Sequence, residues 1–339
     1  MYYVPIRDVN CYNSSIMKDR YGREINYIRI SLTDRCNLRC IYCMPDGVRL
    51  VPREEILSEQ EILEITGACA GLGIRHVKVT GGEPLVRRCC RTLIREIRQI
   101  PGIETVTLTT NGVLLREHLK SLEDSGIDGI NVSLDTTDPD LYRKITGGGD
   151  VSTVIDAIRA CADAGIRTKI NAVALHEENE DLLVFARDYP VDVRFIEIMP
   201  IGYGAGFPQI DNRRVLEAIR RSHPDIEKDP ARHGFGPAVY YQIPGFKGAV
   251  GFISAIHGKF CGSCNRVRLT SMGYLKTCLC YEDGTDLRRI VRDVSLTQTQ
   301  RQERLTEAIR EAILHKPEAH CFDAPGSITE KHLMASIGG

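Results

Sequence analysis

The sequence predicts an α/β fold, an incomplete parallel (β/α)6 barrel (a partial TIM barrel) whose open side is closed by a smaller C-terminal α+β domain. Three observations predict it. Short β-rich runs alternate with amphipathic stretches from about residue 25 to 225, which implies a parallel sheet, open or closed into a full or partial barrel. Polar and glycine residues gather just after the strand runs, the side on which parallel sheets and barrels build their sites. A Gly- and Pro-rich stretch, EKDPARHGFGPAVYYQIPGFKGAVGF, then breaks the alternation and begins a second unit. The expected divisions are 1–24 as an N-terminal extension, 25–230 as the barrel core and 231–339 as the C-terminal domain.

Strands are expected at 26–32 (NYIRISL), 76–80 (HVKVT), 104–109 (ETVTLT), 128–134 (DGINVSL), 168–173 (TKINAV) and 192–198 (DVRFIEI). Helices fall between them near 58–71, 87–99, 114–125, 151–164 and 179–188. Ser58 with Glu61 makes a capping box ahead of the first, and Gly126 and Gly165 stand where helix C-caps are expected. Cys69 continues the apolar stripe of Ile62, Ile65 and Leu72, and Cys161 that of Val154, Ile155 and Ile158, so both are expected in the core. After the strands come a cysteine loop, Thr80-Gly81-Gly82-Glu83-Pro84, Thr109-Thr110-Asn111-Gly112, Ser133-Leu134-Asp135, Asn171 and Glu197-Ile198-Met199-Pro200. One pocket lined from six strands is expected. Beyond the break, antiparallel strands and two helices near 285–293 and 300–315 are expected.

Composition narrows the function class. With 339 residues, a formal net charge of −1 and 26% charged residues, the chain has no bulk basic field for nucleic acid or an anionic membrane. No apolar run approaches a membrane span, and MYYVPIRDVNCYNSS lacks the apolar core of a secretory signal, so a cytoplasmic chain is expected. Thirteen cysteines, an odd number, fit a reducing compartment better than a disulfide framework.

Two cysteine triplets stand out: Cys36, Cys40 and Cys43 as C-x3-C-x2-C, and Cys261, Cys264 and Cys278. Each offers three ligands where a cubane cluster has four irons, which leaves one iron open to a small molecule. Structural zinc usually takes four protein ligands, and a redox C-x2-C leaves Cys36 idle. Cys280 competes with Cys278 on spacing, and Cys89-Cys90 has no role that spacing assigns. An electron carrier would normally complete each cluster with a fourth cysteine, so open irons point to catalysis. Arg266 and Arg268 alternate on NRVRLT just after Cys264 and so share one face, a pair of guanidinium forks suited to a triphosphate. A solvated sheet face is the alternative for two such arginines.

C-x3-C-x2-C after the first strand with GGEP after the second resembles the radical S-adenosylmethionine superfamily. There, three cysteines hold a 4Fe-4S cluster, S-adenosylmethionine chelates the fourth iron, and reduction releases a 5′-deoxyadenosyl radical. Within it the chain is similar to the GTP 3′,8-cyclase family of molybdenum cofactor biosynthesis, through DRYGREINYIRISLTDRCNLRCIYCMPDG, ITGG, RFIEIMP, FCGSCNRVRLTSMGYLKTCL and the final SIGG.

That resemblance implies a second 4Fe-4S cluster on Cys261, Cys264 and Cys278 whose open iron meets the guanine of GTP. It implies S-adenosylmethionine contacts at Tyr42, Gly82, Ser133 and Met199, with Gly81 and Gly82 permitting close backbone approach. GTP contacts are implied at Arg29, Thr109 and Lys169, beside Arg266 and Arg268, and Gly338-Gly339 is implied to reach into the active site. Lys78 departs from the family's arginine, keeping charge and losing the bidentate fork, so its contact stays open. Also implied are an electron donor of flavodoxin or ferredoxin type, a homodimer, and a cyclic pyranopterin monophosphate synthase downstream. A radical enzyme that modifies a peptide would share both triplets without needing the paired arginines.

Overall fold

The computed structural model describes residues 16–47, 51–177 and 180–337. Six strands, β1 (Tyr27–Ser31), β2 (His76–Thr80), β3 (Thr105–Thr110), β4 (Gly129–Ser133), β5 (Thr168–Val173) and β6 (Val191–Ile196), lie side by side in chain order, every neighbour parallel. The period of two divides each strand. Ile28, Ile30, Val77, Val79, Val106, Leu108, Val132, Ile170 and Val193 are fully buried on one face, each worth about 1.5–3 kcal/mol relative to exposure. The alternate residues, Arg29, Lys78, Thr107, Asn131, Lys169 and Arg194, form the inner face.

The intervening helices are α1 (Glu59–Gly71), α2 (Cys90–Arg98), α3 (Leu115–Asp124), α4 (Pro139–Thr146), α5 (Val151–Asp163) and α6 (Leu183–Asp188), with α7 (Asn212–Ser222) after β6. The capping box forms as the sequence predicts: Glu61 N–H donates to Ser58 Oγ at 3.3 Å and Ser58 N–H to Glu61 Oε2 at 2.6 Å. Cys69 and Cys161 are fully buried. Helices α4 and α7 are additions to the expected set. Asp138 caps α4 ahead of Pro139 and Gly147 ends it at φ +72°, while Asp211 caps α7, all regular start and stop signals.

Residues from 227 onward join the same sheet at both edges. Strands β7 (Glu227–Asp229), β8 (Val239–Gln242) and β9 (Val250–Ile253) form an antiparallel run whose last member lies parallel to β6. Strand β10 (Arg266–Leu269) lies parallel to β1, followed antiparallel by β11 (Tyr274–Lys276) and β12 (Thr285–Asp286). The antiparallel expectation therefore holds for β11 and β12 but not for β10 against β1, because the chain returns through a long crossover that reverses its direction. Helices α8 (Arg288–Val291) and α9 (Gln298–Leu314) end the regular structure.

The strand order leaves the barrel open, yet Arg266 of β10, Arg194 of β6 and Tyr240 of β8 line one cavity. The two flanks therefore curl around a common lumen. An apolar seam spans the gap between them: Leu279, Cys280, Phe322 and Ile337 pack against Ile201 and Ile256, which follow β6 and β9. None of the described helices is long and apolar enough to cross a membrane.

Candidate active site

Cys36, Cys40 and Cys43 occupy the loop after the carboxyl end of β1, all half-buried and unbridged. The GGEP segment holds that loop. Gly82 N–H donates to Thr33 O at 2.7 Å and Glu83 N–H to Arg35 O at 2.8 Å. A Cβ on Gly82 would lie 2.3 Å from Arg35 O, and one on Gly81 2.6 Å from Thr33 O. The approach that demands glycine here is that of the cysteine loop itself. Glu83 accepts from Leu85 N–H (3.0 Å), Thr110 Oγ1–H (2.8 Å) and Asn111 N–H (2.7 Å), bracing β2 against β3. Burial raises Glu83 to about 7 despite these donors.

Leu38 N–H and Asn111 Nδ2–H approach Cys36 Sγ at 3.4 and 3.7 Å, and the Ala335 backbone lies close enough to Cys43 to lower its thiol. Burial raises all three thiols, Cys43 to about 11, so a bound cation would displace their protons. Tyr42 Oη–H donates to Asp135 Oδ2 at 2.6 Å, and Val173 N–H to Asp135 Oδ1 at 2.8 Å. Burial lifts Asp135 to about 6 against those two donors. Ser133 ends β4 opposite Asn171, and Met199 packs on the apolar seam. The tail runs past Gly202, whose Cβ would meet Leu333, and reaches Cys43 through Ala335. Gly338 and Gly339 lie outside the described residues, as does Cys11.

The second triplet sits at the other end. Cys261 and Cys264 precede β10, and because β10 runs parallel to β1 they lie at the amino ends of the strands. Buried Lys316 donates from Nζ to Arg266 O at 3.0 Å and to Thr277 O, tying together the segments that carry Cys264 and Cys278. Arg23, paired with Asp19 at 2.6 Å, donates to the carbonyls of Cys261 (2.9 Å), Pro317 and Glu318 (2.7 Å each). His320 N–H approaches Cys261 Sγ at 3.5 Å. Burial pushes the Cys264 thiol up, but Arg266, Lys316 and Arg268 outweigh it and bring it down to about 6. A thiolate is thus favoured near neutrality, the form that ligates iron. Cys278 shares the field of Lys316 and Arg268, whereas the Cys280 sulfur faces Cys321.

Toward the amino ends of the strands lies a cavity of about 1070 Å³ lined by Tyr27, Lys78, Asn131, Lys169, Arg194 and Arg266, and by Gly262 and Ser263 of the second triplet's loop. Register sets Arg268, Arg29 and Lys78 abreast. Thr109 lies one pleat further along, 3.5 Å from Asn131 Nδ2. Lys169 Nζ is already engaged by Asp192 Oδ2 (2.6 Å), His233 O (2.5 Å) and Tyr240 Oη (3.1 Å). Among the described residues no carboxylate pairs with Lys78, Arg194, Arg266 or Arg268, and the buried Nε atoms of these three arginines have no hydrogen-bond partner. Burial lowers Lys78 well below the usual lysine value, reinforced by Arg194, Arg29, Lys169 and Arg266. Such a lumen selects an anion.

Two features escape sequence reasoning. Arg194, which donates to Asn131 Oδ1 at 2.7 Å, was readable by the parity that singles out Arg266 and Arg268. The loop between β7 and β8 closes the amino mouth, with Phe235 stacked on His76 (centroids 3.4 Å apart) and His233 on Tyr240 (4.1 Å). Its Gly- and Pro-rich sequence has no periodicity to announce that position. Glu197, Asp211 and His257 bring their ligand atoms within 4.8 Å of one another. The Glu197 carboxylate, however, already accepts from the N–H groups of Asn212, Ile256 and His257 and is a brace.

Two family models match consecutive parts of the chain. Residues 30–188 match the model of the radical SAM superfamily, and residues 191–322 that of Molybdenum Cofactor Synthesis C. The chain is 42% identical over 329 residues to the GTP 3′,8-cyclase of Clostridium perfringens strain 13, covering 95% of this chain and all of that one. It is 40% identical over 333 residues to that of Marinobacter nauticus, covering 95% and 98%. Among solved structures, Streptococcus suis SuiB bound to S-adenosylmethionine shares the fold at TM-score 0.59 and 15% identity, over 92% of this chain and 77% of that one.

Proposed function

The chain belongs to the GTP 3′,8-cyclase family of the radical S-adenosylmethionine superfamily, and from that premise we propose that it converts GTP to (8S)-3′,8-cyclo-7,8-dihydroguanosine 5′-triphosphate, opening molybdenum cofactor biosynthesis. One observation carries this function above the others: a cationic cavity with the loop of the second cysteine triplet at its amino mouth, inside a sheet whose carboxyl ends carry the first. Each triplet fits a 4Fe-4S cluster with one open iron, being three free, half-buried thiols. Loaded with S-adenosylmethionine, the first cluster would supply the one-electron radical chemistry by which the 3′ carbon of the GTP ribose is joined to C8 of guanine.

The chain's own part is to bind, orient and exclude. Cys36, Cys40 and Cys43 would hold the first cluster, and Tyr42, Gly82, Ser133 and Met199 the S-adenosylmethionine. Cys261, Cys264 and Cys278 would hold the second, which would supply a metal site for the guanine. Arg29, Lys78, Thr109, Lys169, Arg266 and Arg268, joined by Arg194, receive the triphosphate, whose charge relieves their mutual repulsion. The loop carrying Phe235 and the apolar seam keep water from the reacting atoms. The electron donor of flavodoxin or ferredoxin type, the homodimer, the downstream cyclic pyranopterin monophosphate synthase and the cytoplasmic location belong to the same proposal.

Anaerobic turnover of cluster-loaded protein with dithionite, S-adenosylmethionine and GTP tests it. GTP-dependent 5′-deoxyadenosine together with a product that converts chemically to a fluorescent pterin is expected. Cleavage of S-adenosylmethionine that leaves GTP intact would move the search to another substrate, a peptide first. No cleavage despite two intact clusters would favour electron carriage.

A further inference from the structure

The apolar seam across the open side of the barrel contains two thiols outside both triplets. Cys280 is fully buried, Cys321 is half-buried, and their Sγ atoms are 2.8 Å apart. Backbone contacts hold them in place. Cys321 N–H donates to Cys280 Sγ at 3.2 Å, Cys321 Sγ–H donates to Ser327 O at 3.1 Å, and Cys280 O accepts from Thr329 and Glu330 N–H at 3.2 Å each. A disulfide needs about 2.05 Å between sulfurs, so closure asks for a movement of less than about 1 Å. Cys280 stands two residues beyond the triplet cysteine Cys278, and Cys321 follows His320, whose N–H approaches Cys261 Sγ at 3.5 Å, yet the two sulfurs face one another.

We propose that Cys280 and Cys321 form a redox-reactive dithiol that a two-electron oxidant of the peroxide class converts to a disulfide, stapling the seam. The half-buried Cys321 sulfur attacks the peroxide, breaking its O–O bond and leaving a sulfenic acid and one water. The Cys280 sulfur then displaces the hydroxyl, the S–S bond forms, and a second water leaves with the thiol proton. Two thiols are oxidised and one peroxide is reduced. In a reducing compartment such a pair is reopened by thiol exchange, and its accessible member makes it labile rather than structural. The bridge would fix the connection between β11 and β12 to the segment that continues, past Gly202, to Cys43. Reduction would release it. Neither thiol ligates iron in this scheme, so the inference stands apart from the proposed reaction.

The test uses full-length, cluster-loaded protein prepared anaerobically, titrated with hydrogen peroxide, quenched with N-ethylmaleimide under denaturing conditions and peptide-mapped without reductant. A peptide pair joining residues 280 and 321, with two fewer alkylated thiols per chain, is expected at doses that leave the cluster absorbance unchanged. Dithiothreitol should restore both thiols. Cys321→Ser should lose the cross-link and retain its full iron content; Cys280→Ala repeats the test from the other side. Both cysteines still alkylated when the clusters have bleached would overturn the proposal, as would Cys321 bridged to a triplet cysteine or stopped at sulfinic acid. Loss of half the iron in Cys321→Ser would overturn it too, by making Cys321 a cluster ligand.

Discussion

Lys78 is a charge held where charge is disfavoured. Its folded value lies below the ordinary lysine value because burial, then Arg194, Arg29, Lys169 and Arg266, oppose the ammonium. As pH rises the nucleotide-free lumen therefore releases this proton before an unfolded chain would, and a bound triphosphate reverses the sign of the local field. Binding should then take up a proton in the window between the depressed value and the ordinary one. Titration calorimetry of a non-hydrolysable GTP analogue, in alkaline buffers of differing ionisation enthalpy, should show that uptake in the wild type. Lys78→Arg should bind without it. Equal heats in every buffer for the wild type would remove Lys78 from the phosphate site. At this scale legibility followed pairing: Arg266 and Arg268 stand out because two arginines alternate on NRVRLT beside Cys264, whereas Arg194 is a lone arginine on the expected strand DVRFIEI, and its face shows only once the neighbouring strands are placed.

Elements bring the ligands to their positions, and the two triplets depend on different ones. A Cβ at Gly82 would sit 2.3 Å from Arg35 O, so Gly82→Ala must displace the loop that carries Cys36. Lys316→Met unties Arg266 O from Thr277 O and removes a buried cation from beside Cys264. Each variant should keep about half the iron of the wild type after reconstitution, Gly82→Ala losing the first site and Lys316→Met the second. Iron analysis with electron paramagnetic resonance, with and without S-adenosylmethionine, would tell them apart, and equal loss from both sites in either variant would contradict the separation. Strands β1–β6 and the cap of α1 were legible because period and capping are local properties. Helices α4 and α7 carry equally local signals, Asp138-Pro139 and Asp211, but α4 is a second helix between β4 and β5, and α7 follows the last core strand, with no further parallel strand of the series to bracket it. The parallel pairing of β10 with β1 and the approach of Ala335 to Cys43 have no local signature, since each joins residues hundreds of positions apart.

The molecule as a whole folds around a lumen whose cations repel, so its stability should respond to anions more than its net charge of −1 suggests. Inorganic triphosphate at about 100 times its dissociation constant should stabilise the cluster-loaded chain by about 2.7 kcal/mol, a rise in Tm of about 4 °C for a chain this long. The rise should shrink with added sodium chloride; scanning fluorimetry at low salt that finds no shift would dissociate the lumen from phosphate binding. The same sheet order sets a timetable for biosynthesis. Strand β1 needs partners on both sides, and the second, β10, leaves the ribosome about 240 residues after it, roughly 12–48 s later at 5–20 residues per second. Throughout that interval one edge of YIRIS stands exposed, an invitation to any stray strand. The nascent chain should therefore lean on chaperones until Arg266–Leu269 emerges, and a truncation before residue 266 should aggregate where the full chain does not.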